Sequence, residues 1–142
     1  MRGTSRDEER LEDLEAAVDR LREVAEAGTV LVEGTRDLKA LDWLGIGGTH
    51  VTLHRGMPLH ELEEDLVQCP TPVVLLLDWD RTGGRLLERL EDALKHRVQI
   101  DVLCRRRLAA ACRSRTLEAV PAELAALRRA VHGGRPSTKR PP

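Results

Sequence analysis

Short apolar runs alternate with segments of helical periodicity along this chain, and this alternation restricts the folds that are open to it. The apolar runs predict strands at 29–33, 50–53, 73–78 and 98–103. The spacing of leucine, alanine and valine predicts helices over 5–27, 36–44, 58–67, 82–94, 105–113 and 122–131. A chain that alternates strand and helix forms a parallel sheet with right-handed crossovers, so we expect an α/β fold.

The strand order follows from the position of the acidic residues. The run 73–77 is apolar throughout, which is typical of a central strand covered on both faces. Acidic segments follow the first and third strands, and they can share one site only if these strands are neighbours. The second strand then lies outside the first, which predicts a four-stranded sheet in the order 2-1-3-4 with helices on both faces. A ligand is expected at the switch point between strands one and three.

The two acidic segments are Val-Glu-Gly-Thr-Arg-Asp at 32–37 and Leu-Asp-Trp-Asp-Arg-Thr-Gly-Gly at 77–84. Together they hold four carboxylates, those of Glu33, Asp37, Asp78 and Asp80. Carboxylate oxygens are ligands that Mg²⁺ and Mn²⁺ prefer, and these ions in turn bind phosphate. The sequence therefore predicts an Mg²⁺ or Mn²⁺ site at this edge of the sheet, with a phosphate group as its target.

The spacing of the carboxylates suggests a role for each. Asp78 and Asp80 are two apart, and alternation along a strand would point both to one side while Trp79 points away. Glu33 would face them from the adjacent strand, where it could complete the metal site or act as general acid or base, its pKa raised by these neighbours. Asp37 could add a metal ligand or hold water. In the alternative interpretation, Asp37 and Asp80 are helix N-caps.

Glycines and arginines beside the carboxylates are candidates for contact with phosphate. Gly34, Gly83 and Gly84 leave room for the backbone to approach phosphate near helix N-termini, which favour anions. Arg36 and Arg81 are candidate phosphate clamps, and Arg81 is also a candidate catalytic residue. Alternatively, both are ordinary surface arginines.

Charge is unevenly distributed, although the whole chain is close to neutral. Residues 1–104 hold 13 basic and 22 acidic side chains, a balance of −9, whereas residues 105–142 hold 10 and 2, a balance of +8. A basic segment with Arg105, Arg106 and Arg107 beside an acidic metal site suits a polyanion, so we expect RNA or DNA as the partner. The alternatives are a fold that merely segregates charge and a solvated helix start.

Other side chains narrow the possible functions. Without tyrosine the chain forms no tyrosyl phosphodiester, and the lack of phenylalanine and tyrosine argues against a single-strand binder that stacks bases on aromatics. Trp43 and Trp79 are expected to be packing residues. His50 and His54 are expected to face solvent, and Thr82 is expected to cap the helix that follows it.

The cysteines and the chain ends indicate a cellular compartment. Cys69, Cys104 and Cys112 show no CxxC spacing, which favours reduced, structural thiols in an intracellular protein. We expect neither a signal peptide nor a membrane-spanning segment, and hence a cytoplasmic location. The segment 133–142 is basic and rich in proline, so we expect a disordered tail.

The two acidic segments, at 32–37 and 77–84, resemble those of the Toprim domain. This domain is shared by topoisomerases, bacterial-type primases, 5S ribosomal RNA maturases and overcoming-lysogenization-defect nucleases. The resemblance covers residues 28 to about 104 well and extends to 132 at most. It implies a Rossmann-like Toprim fold over 28–132. The region 1–27 before it is the amphipathic helix that the leucine spacing predicts.

The resemblance also implies roles for the acidic residues. Glu33 would serve as general acid or base, and Asp78 and Asp80 would bind Mg²⁺. An aspartate at position 37 resembles the pattern of the primase, maturase and nuclease branches of the family rather than that of the topoisomerase branch. The lack of tyrosine is unlike a topoisomerase. The lack of zinc-ribbon cysteines and of a large amino-terminal catalytic region is unlike a complete primase, so we expect a small stand-alone Toprim protein.

These features lead to three hypotheses about function. The first is an Mg²⁺- or Mn²⁺-dependent nuclease or nicking enzyme that acts on RNA or DNA. The second is a non-catalytic metal- and nucleic-acid-binding subunit of a larger DNA or RNA processing complex. The third is a small phosphohydrolase or nucleotide-binding module. A protein partner or a homodimer is also considered, the latter through the leucine-rich helix over 5–27 if that helix does not pack on its own sheet.

Overall fold

The computed structural model describes residues 5–53 and 56–133 of the chain. The strands in this part are β1 (Thr29–Val32), β2 (Thr49–Thr52), β3 (Val73–Leu75) and β4 (Ile100–Asp101). The α-helices are α1 (Ser5–Ala25), α2 (Thr35–Trp43), α3 (Leu59–Val67), α4 (Arg81–Leu94), α5 (Leu103–Ala111) and α6 (Val120–Val131). A 3-10 helix, Leu117–Ala119, leads into α6. Strand and helix therefore alternate as the sequence predicts.

The strands form one parallel sheet in the order β2-β1-β3-β4, which confirms the predicted order. β1 lies between β2 and β3, with Thr29 paired to Thr49 on one side and to Val73 on the other. β3 pairs in turn with β4, where Val74 lies opposite Asp101. The carboxyl ends of β1 and β3 therefore lie side by side at the switch point of the sheet.

Two hydrophobic cores lie on opposite faces of the sheet. Side chains of the central strand alternate between them, so that Val74 and Leu76 pack on one side while Leu75 and Leu77 pack on the other. The first core is covered by α1, α2, α5 and α6, and the second by α3 and α4. Because both faces are covered, every residue of 73–77 is buried, which explains the unbroken apolar sequence.

The amino-terminal helix α1 belongs to the first core. Leu14, Val18 and Leu21 are fully buried, and the helix packs against α5 and α6. Arg10 adds an ion pair to Glu123 of α6, with 3.3 Å between Nη2 and Oε2. Because the leucine face is used within the chain, the condition for a homodimer through this helix is not met.

Several element boundaries differ from the predicted ones, most clearly around β4. Asp101 Oδ2 accepts the backbone N–H of Cys104 at 3.0 Å, and α5 begins at Leu103, inside the predicted strand 98–103. An apolar run at a strand-to-helix junction does not show where the strand ends, so the prediction sets the boundary too late. β3 likewise ends at Leu75, and the 3-10 helix is not predicted at all.

Two further expectations concern the chain as a whole. Among the helices in the described ranges, none is both long and apolar enough to cross a membrane. Residues 134–142 of the predicted tail lie outside the described part of the chain. His54, which is expected to face solvent, lies outside it as well.

Candidate metal and nucleic-acid site

Glu33, the residue after β1, lies against the segment that follows β3. Its Oε2 accepts the backbone N–H of Asp78 at 2.7 Å, so the two acidic segments do share one site. Burial raises the pKa of the Glu33 carboxyl, and the charges of Asp80 and Asp37 raise it further, while the Asp78 N–H and Arg105 lower it. The expected upward shift of the pKa is present, although burial rather than neighbouring charge is its main cause.

Asp78 is held from another direction by the carboxyl-terminal part of the chain. Its Oδ1 accepts the backbone N–H of Leu117, at the start of the 3-10 helix, at 3.0 Å. Burial raises the pKa of Asp78 to about 6, with further increases from Glu33, Asp37 and Asp80 and a decrease from the Leu117 N–H. The four carboxylates are therefore close enough for their charges to interact, and a cation among them would relieve the repulsion.

Asp37 and Asp80 each stabilise the start of a helix. Asp80 is the N-cap of α4, and its Oδ1 accepts the backbone N–H of Gly83 at 2.7 Å. The prediction that Thr82 caps this helix is wrong, because the carboxylate two residues earlier takes that position. Asp37 lies in the first turn of α2, where its Oδ2 accepts the backbone N–H of Gly34 at 3.0 Å. The N-cap interpretation therefore holds for Asp80 but is wrong for Asp37, because Gly34 is the N-cap of α2 and Asp37 binds it from the third helical position.

Asp78 and Asp80 lie beyond the end of β3, so strand alternation does not decide whether they share a side, and a shared side stays a prediction. β3 ends at Leu75, and the chain bends between that strand and α4, so the two-residue period no longer applies. Trp79 packs against the first core, and its Nε1 donates to the backbone oxygen of Ser114 at 2.6 Å. Trp79 is thus a packing residue, as predicted, while the two aspartates are positioned by their own hydrogen bonds.

Arg105 of α5 binds the backbone of the second acidic segment. Its Nε donates to the carbonyl oxygen of Leu77 and its Nη2 to that of Asp78, both at 2.8 Å. Burial lowers the pKa of the guanidinium, whereas the charges of Asp80, Glu33 and Asp78 raise it. Arg105, predicted as a phosphate contact, is therefore a positioning residue whose charge also offsets the carboxylates.

We expect Arg105→Ala to lower the free energy of unfolding by about 2 kcal/mol, because two partly buried carbonyls lose their donor. Arg106→Ala removes an exposed arginine of the same helix and should change the stability by less than about 0.5 kcal/mol. Urea denaturation of both variants measures these values. Equal stability of the two variants would contradict the positioning role of Arg105.

The three glycines predicted to admit phosphate have different surroundings. A Cβ on Gly83 would overlap the backbone carbonyl of Asp78, so this glycine allows α4 to pack against the acidic segment. A Cβ on Gly34 would meet open space, and one on Gly84 would lie 3.9 Å from Arg105 Nη2. The close approach of α4 thus explains Gly83, while phosphate contact at Gly34 and Gly84 stays a prediction.

The other predicted phosphate contacts are surface arginines. The Arg36 side chain is 82% exposed and lies 3.9 Å from Glu118. Arg81 is exposed at the start of α4, and Arg106 and Arg107 are exposed on α5. Their contact with phosphate, and a catalytic role for Arg81, stay predictions.

The donor atoms suit a hard divalent cation. Glu33, Asp78 and Asp80 each give one carboxylate oxygen to a backbone N–H, which leaves the second oxygen for a cation. Within residues 5–53 and 56–133, no three His, Cys, Asp or Glu side chains form a ready-made metal cage. Mg²⁺ does not require one, since it commonly binds through one or two carboxylates and completes its shell with water and phosphate oxygens. The residues fit a site of this partial kind.

His50 and the three cysteines are not part of the acidic site. His50 Nε2 lies 3.0 Å from the carbonyl oxygen of Gly47. The three cysteines are free, and burial raises the pKa of Cys104 and of Cys112 to about 12. A thiol with so high a pKa is a poor nucleophile and a poor metal ligand near neutral pH.

Sequence reasoning missed the segment that closes the site, which comprises Ser114, Leu117 and the residues between them. Its backbone groups bind Asp78 and Trp79. The charge of Glu118, one residue further on, contributes to the raised pKa of Asp37, after burial. No side-chain pattern marks this segment, because the contacts that matter are made by backbone N–H and C=O groups.

Sequence comparison shows relatives of this chain in several organisms. A UPF0292 protein of Methanocaldococcus jannaschii is 32% identical over 93 residues, which make up 65% of this chain and 72% of that protein. A UPF0292 protein of Pyrococcus furiosus is 34% identical over 106 residues, 70% of this chain and 73% of that protein. One of Methanosarcina barkeri is 37% identical over 82 residues, 57% of each chain. No protein-family model matches the chain.

A solved structure of a protein from Aquifex aeolicus is similar to this one. The two superpose with a TM-score of 0.57 over 67% of this chain and 87% of that chain, at 24% sequence identity. At this level of identity the likeness shows a common fold alone.

Proposed function

The chain belongs to the UPF0292 family, and we propose that it is an Mg²⁺- or Mn²⁺-dependent nuclease or nicking enzyme that acts on RNA or DNA. The observation that carries the proposal is the hydrogen bond between Glu33 and the backbone of Asp78, which joins the two acidic segments at the switch point of the sheet. The pKa of both carboxyls is raised there, that of Asp78 to about 6. For Glu33, a pKa raised by burial favours a role in proton transfer, because it moves the carboxyl towards the pH at which a general acid or base works.

The proposed mechanism assigns each side chain one task. Asp78 and Asp80 would hold the cation through the oxygens that the backbone does not use. When bound, Mg²⁺ or Mn²⁺ would supply positive charge against the negative charge that develops on the phosphoryl group. Glu33 would move a proton to or from the attacking or leaving oxygen, as the Toprim resemblance implies. Arg105 would keep Asp78 in place through its backbone carbonyl.

The choice of nucleic acid as substrate rests on charge. Arg81, Arg106 and Arg107 are exposed and could neutralise phosphates of a strand that reaches the carboxylates. A cytoplasmic location is part of the same proposal, because the three cysteines are free and both kinds of substrate occur inside the cell.

Incubation of the purified protein with labelled RNA and DNA pools plus Mg²⁺ or Mn²⁺ tests this function. We expect cleavage by the wild type, and a loss of about 10²–10⁴-fold in Glu33→Gln, which is the usual contribution of general acid–base catalysis. Glu61→Gln is the matched control, since Glu61 is exposed on α3. Wild-type cleavage by Glu33→Gln would overturn the role of Glu33, and undiminished cleavage in EDTA would overturn the role of metal.

A non-catalytic metal- and nucleic-acid-binding subunit is the second candidate, and one observation favours it. Glu33, Asp37, Asp78 and Asp80 each accept a backbone N–H, so all four carboxylates already have a structural use. Salt-dependent binding of nucleic acid without turnover, unaffected by Asp78→Asn, would support this candidate. Any metal-dependent turnover would exclude it.

A further inference from the structure

A cleft of about 380 Å³ opens between α2 and the segment that leads into α6. One wall is a face of α2 that includes Trp43, and the other consists of Glu118, Ala119 and Pro121. Concave sites of this size take small ligands or single groups of larger ones. The mechanism proposed above makes no use of this Trp43 cleft.

The α2 wall is one continuous helix face. Arg36, Lys39, Ala40 and Trp43 follow the spacing i, i+3, i+4, i+7, which brings them to the same side. Arg36 is adjacent in sequence to Asp37, whereas Trp43 is the last residue of the helix, about 10 Å further along its axis. The cleft therefore runs along α2 from its first turn, which also holds Asp37, to an indole ring.

Trp43 differs from the other tryptophan of the chain. Trp79 Nε1 donates to Ser114 at 2.6 Å, whereas Trp43 Nε1 finds no acceptor among the residues that the structure describes. Trp43 is partly exposed, packing against the first core while it lines the cleft. It thus offers a ligand an apolar ring surface and an N–H donor that has no acceptor in the described part of the chain.

The charge of the cleft suits an anion. Arg36 is 82% exposed, and its contact with Glu118 at 3.9 Å is a surface pair of little energetic weight. Lys39 adds a second positive charge to the same wall. Arg128 is not part of the lining: its guanidinium carbon lies 6.0 Å from the centroid of the Trp43 ring, and its Nη2 lies 3.9 Å from Glu15 Oε2. Among the lining residues, the two positive charges of Arg36 and Lys39 outweigh the single carboxylate of Glu118.

We propose that the Trp43 cleft binds one unpaired nucleotide of an RNA or DNA strand. The base would stack on the indole, and its phosphate would lie between Arg36 and Lys39. The inference rests on the proposed function in so far as the strand continues to the acidic site. A single aromatic ring accommodates a single base, which agrees with a chain that has too few aromatics to stack a run of bases.

Binding of a short single strand in EDTA tests the cleft separately from cleavage. Fluorescently labelled hexamers of thymidine and of uridine nucleotides are the probes. We expect Trp43→Leu, which keeps an apolar side chain against the core, to weaken binding about tenfold or more. Trp43→Phe, which keeps an aromatic face, should recover most of the affinity. Lys39→Gln should lower the slope of log affinity against log salt by about 0.7, the contribution of one phosphate contact on a single strand.

Intrinsic fluorescence gives an independent readout. Trp79→Phe leaves Trp43 as the sole tryptophan, and a stacked base should quench its emission during titration with an unlabelled hexamer. Circular dichroism confirms that each variant is folded before it is used. Unchanged Trp43 emission at saturation overturns the inference, as does equal affinity of wild type and Trp43→Leu, or the absence of any binding.

The same variants separate this inference from the proposed nuclease. Trp43-dependent binding without metal-dependent cleavage would support the cleft and overturn the nuclease. Cleavage with a KM that Trp43→Leu leaves unchanged would support the nuclease and overturn the cleft.

Discussion

Replacement of Gly83 by alanine is expected to destabilise the protein by about 4 kcal/mol or more, a large part of the total stability of a small domain. Gly83 is buried in the first turn of α4, and a Cβ there would overlap the carbonyl oxygen of Asp78. The Cβ is fixed to the helix backbone and the oxygen belongs to the backbone of Asp78, so no flexible side chain can move aside. Relief would require α4 to withdraw from the acidic segment, which would break the cap between Asp80 and Gly83.

Gly84→Ala is the matched control, and its expected effect has the opposite sign. The nearest atom to the added Cβ would be Arg105 Nη2 at 3.9 Å, an ordinary contact. Alanine is favoured over glycine in a helix by about 1 kcal/mol, so this variant should be slightly more stable than the wild type. Urea unfolding followed by circular dichroism compares the three proteins. A Gly83→Ala protein as stable as the wild type would refute the close approach of α4 to Asp78.

Asp78→Asn is expected to lower the proposed cleavage by about 10³-fold, since a bound metal contributes several kcal/mol to the transition state, while it stabilises the metal-free fold above pH 7. Asparagine keeps an oxygen that can accept the Leu117 N–H, but it lacks the charge that a cation requires. Burial disfavours the ionised carboxyl, so a neutral side chain removes an unfavourable contribution. Because Asp78 is partly open to solvent, we expect a gain of roughly 1 kcal/mol rather than the full equivalent of the pKa shift.

Ionisation of Asp78 should also make the metal-free wild type less stable as the pH rises. The pKa of Asp78 is raised from 3.8 to about 6 in the folded protein, so the folded state holds this proton more tightly than the unfolded state. Well below pH 3.8 the carboxyl is neutral in both states, and its charge has no effect on stability. Stability then falls as the pH rises from about 4 to 6, and the full loss is present at pH 7. The raised pKa values of Glu33 and Asp37 add to this slope.

Urea unfolding of wild type and Asp78→Asn at several pH values, with and without Mg²⁺, measures these effects. The wild type should lose stability relative to the variant as the pH rises, and groups shared by the two proteins cancel in the difference. Mg²⁺ should stabilise the wild type more than the variant, because a ligand stabilises the state that binds it. A variant that is less stable than the wild type at pH 7.5 without metal would refute the sign of the shift.

The sheet order could be predicted because the information is local to the strands. An apolar run without interruption at 73–77 indicates a strand covered on both faces, and acidic residues after two of the runs indicate which strands are neighbours. The residues at which the strands end cannot be predicted from the strand sequences alone. Leu103 is compatible with either strand or helix, and it begins α5, where the backbone N–H of Cys104 donates to Asp101.

Some contacts of the candidate site could likewise be predicted from the sequence, and others could not. The approach of Glu33 to Asp78 is predictable, since parallel strands end at one edge of the sheet. The bond from Leu117 is not, because a backbone N–H has no sequence signature and its position depends on the packing of α6. The helix face that ends in Trp43 is visible in the spacing of α2. The opposite wall, which includes Glu118, becomes apparent only in the folded chain.

Three distant parts of the chain hold Asp78 in place. The hydrogen bonds come from or go to Glu33, Leu117 and Arg105, which are 45, 39 and 27 residues away along the sequence. Each bond closes a long loop, and the entropy lost in closing it is recovered only when the sheet, α5 and the 3-10 helix are all in place. We therefore expect the acidic site to be among the last regions to become ordered during folding. A chain that is still being synthesised lacks the site until Leu117 has emerged and docked, so the chemistry of the carboxylates belongs only to the folded protein.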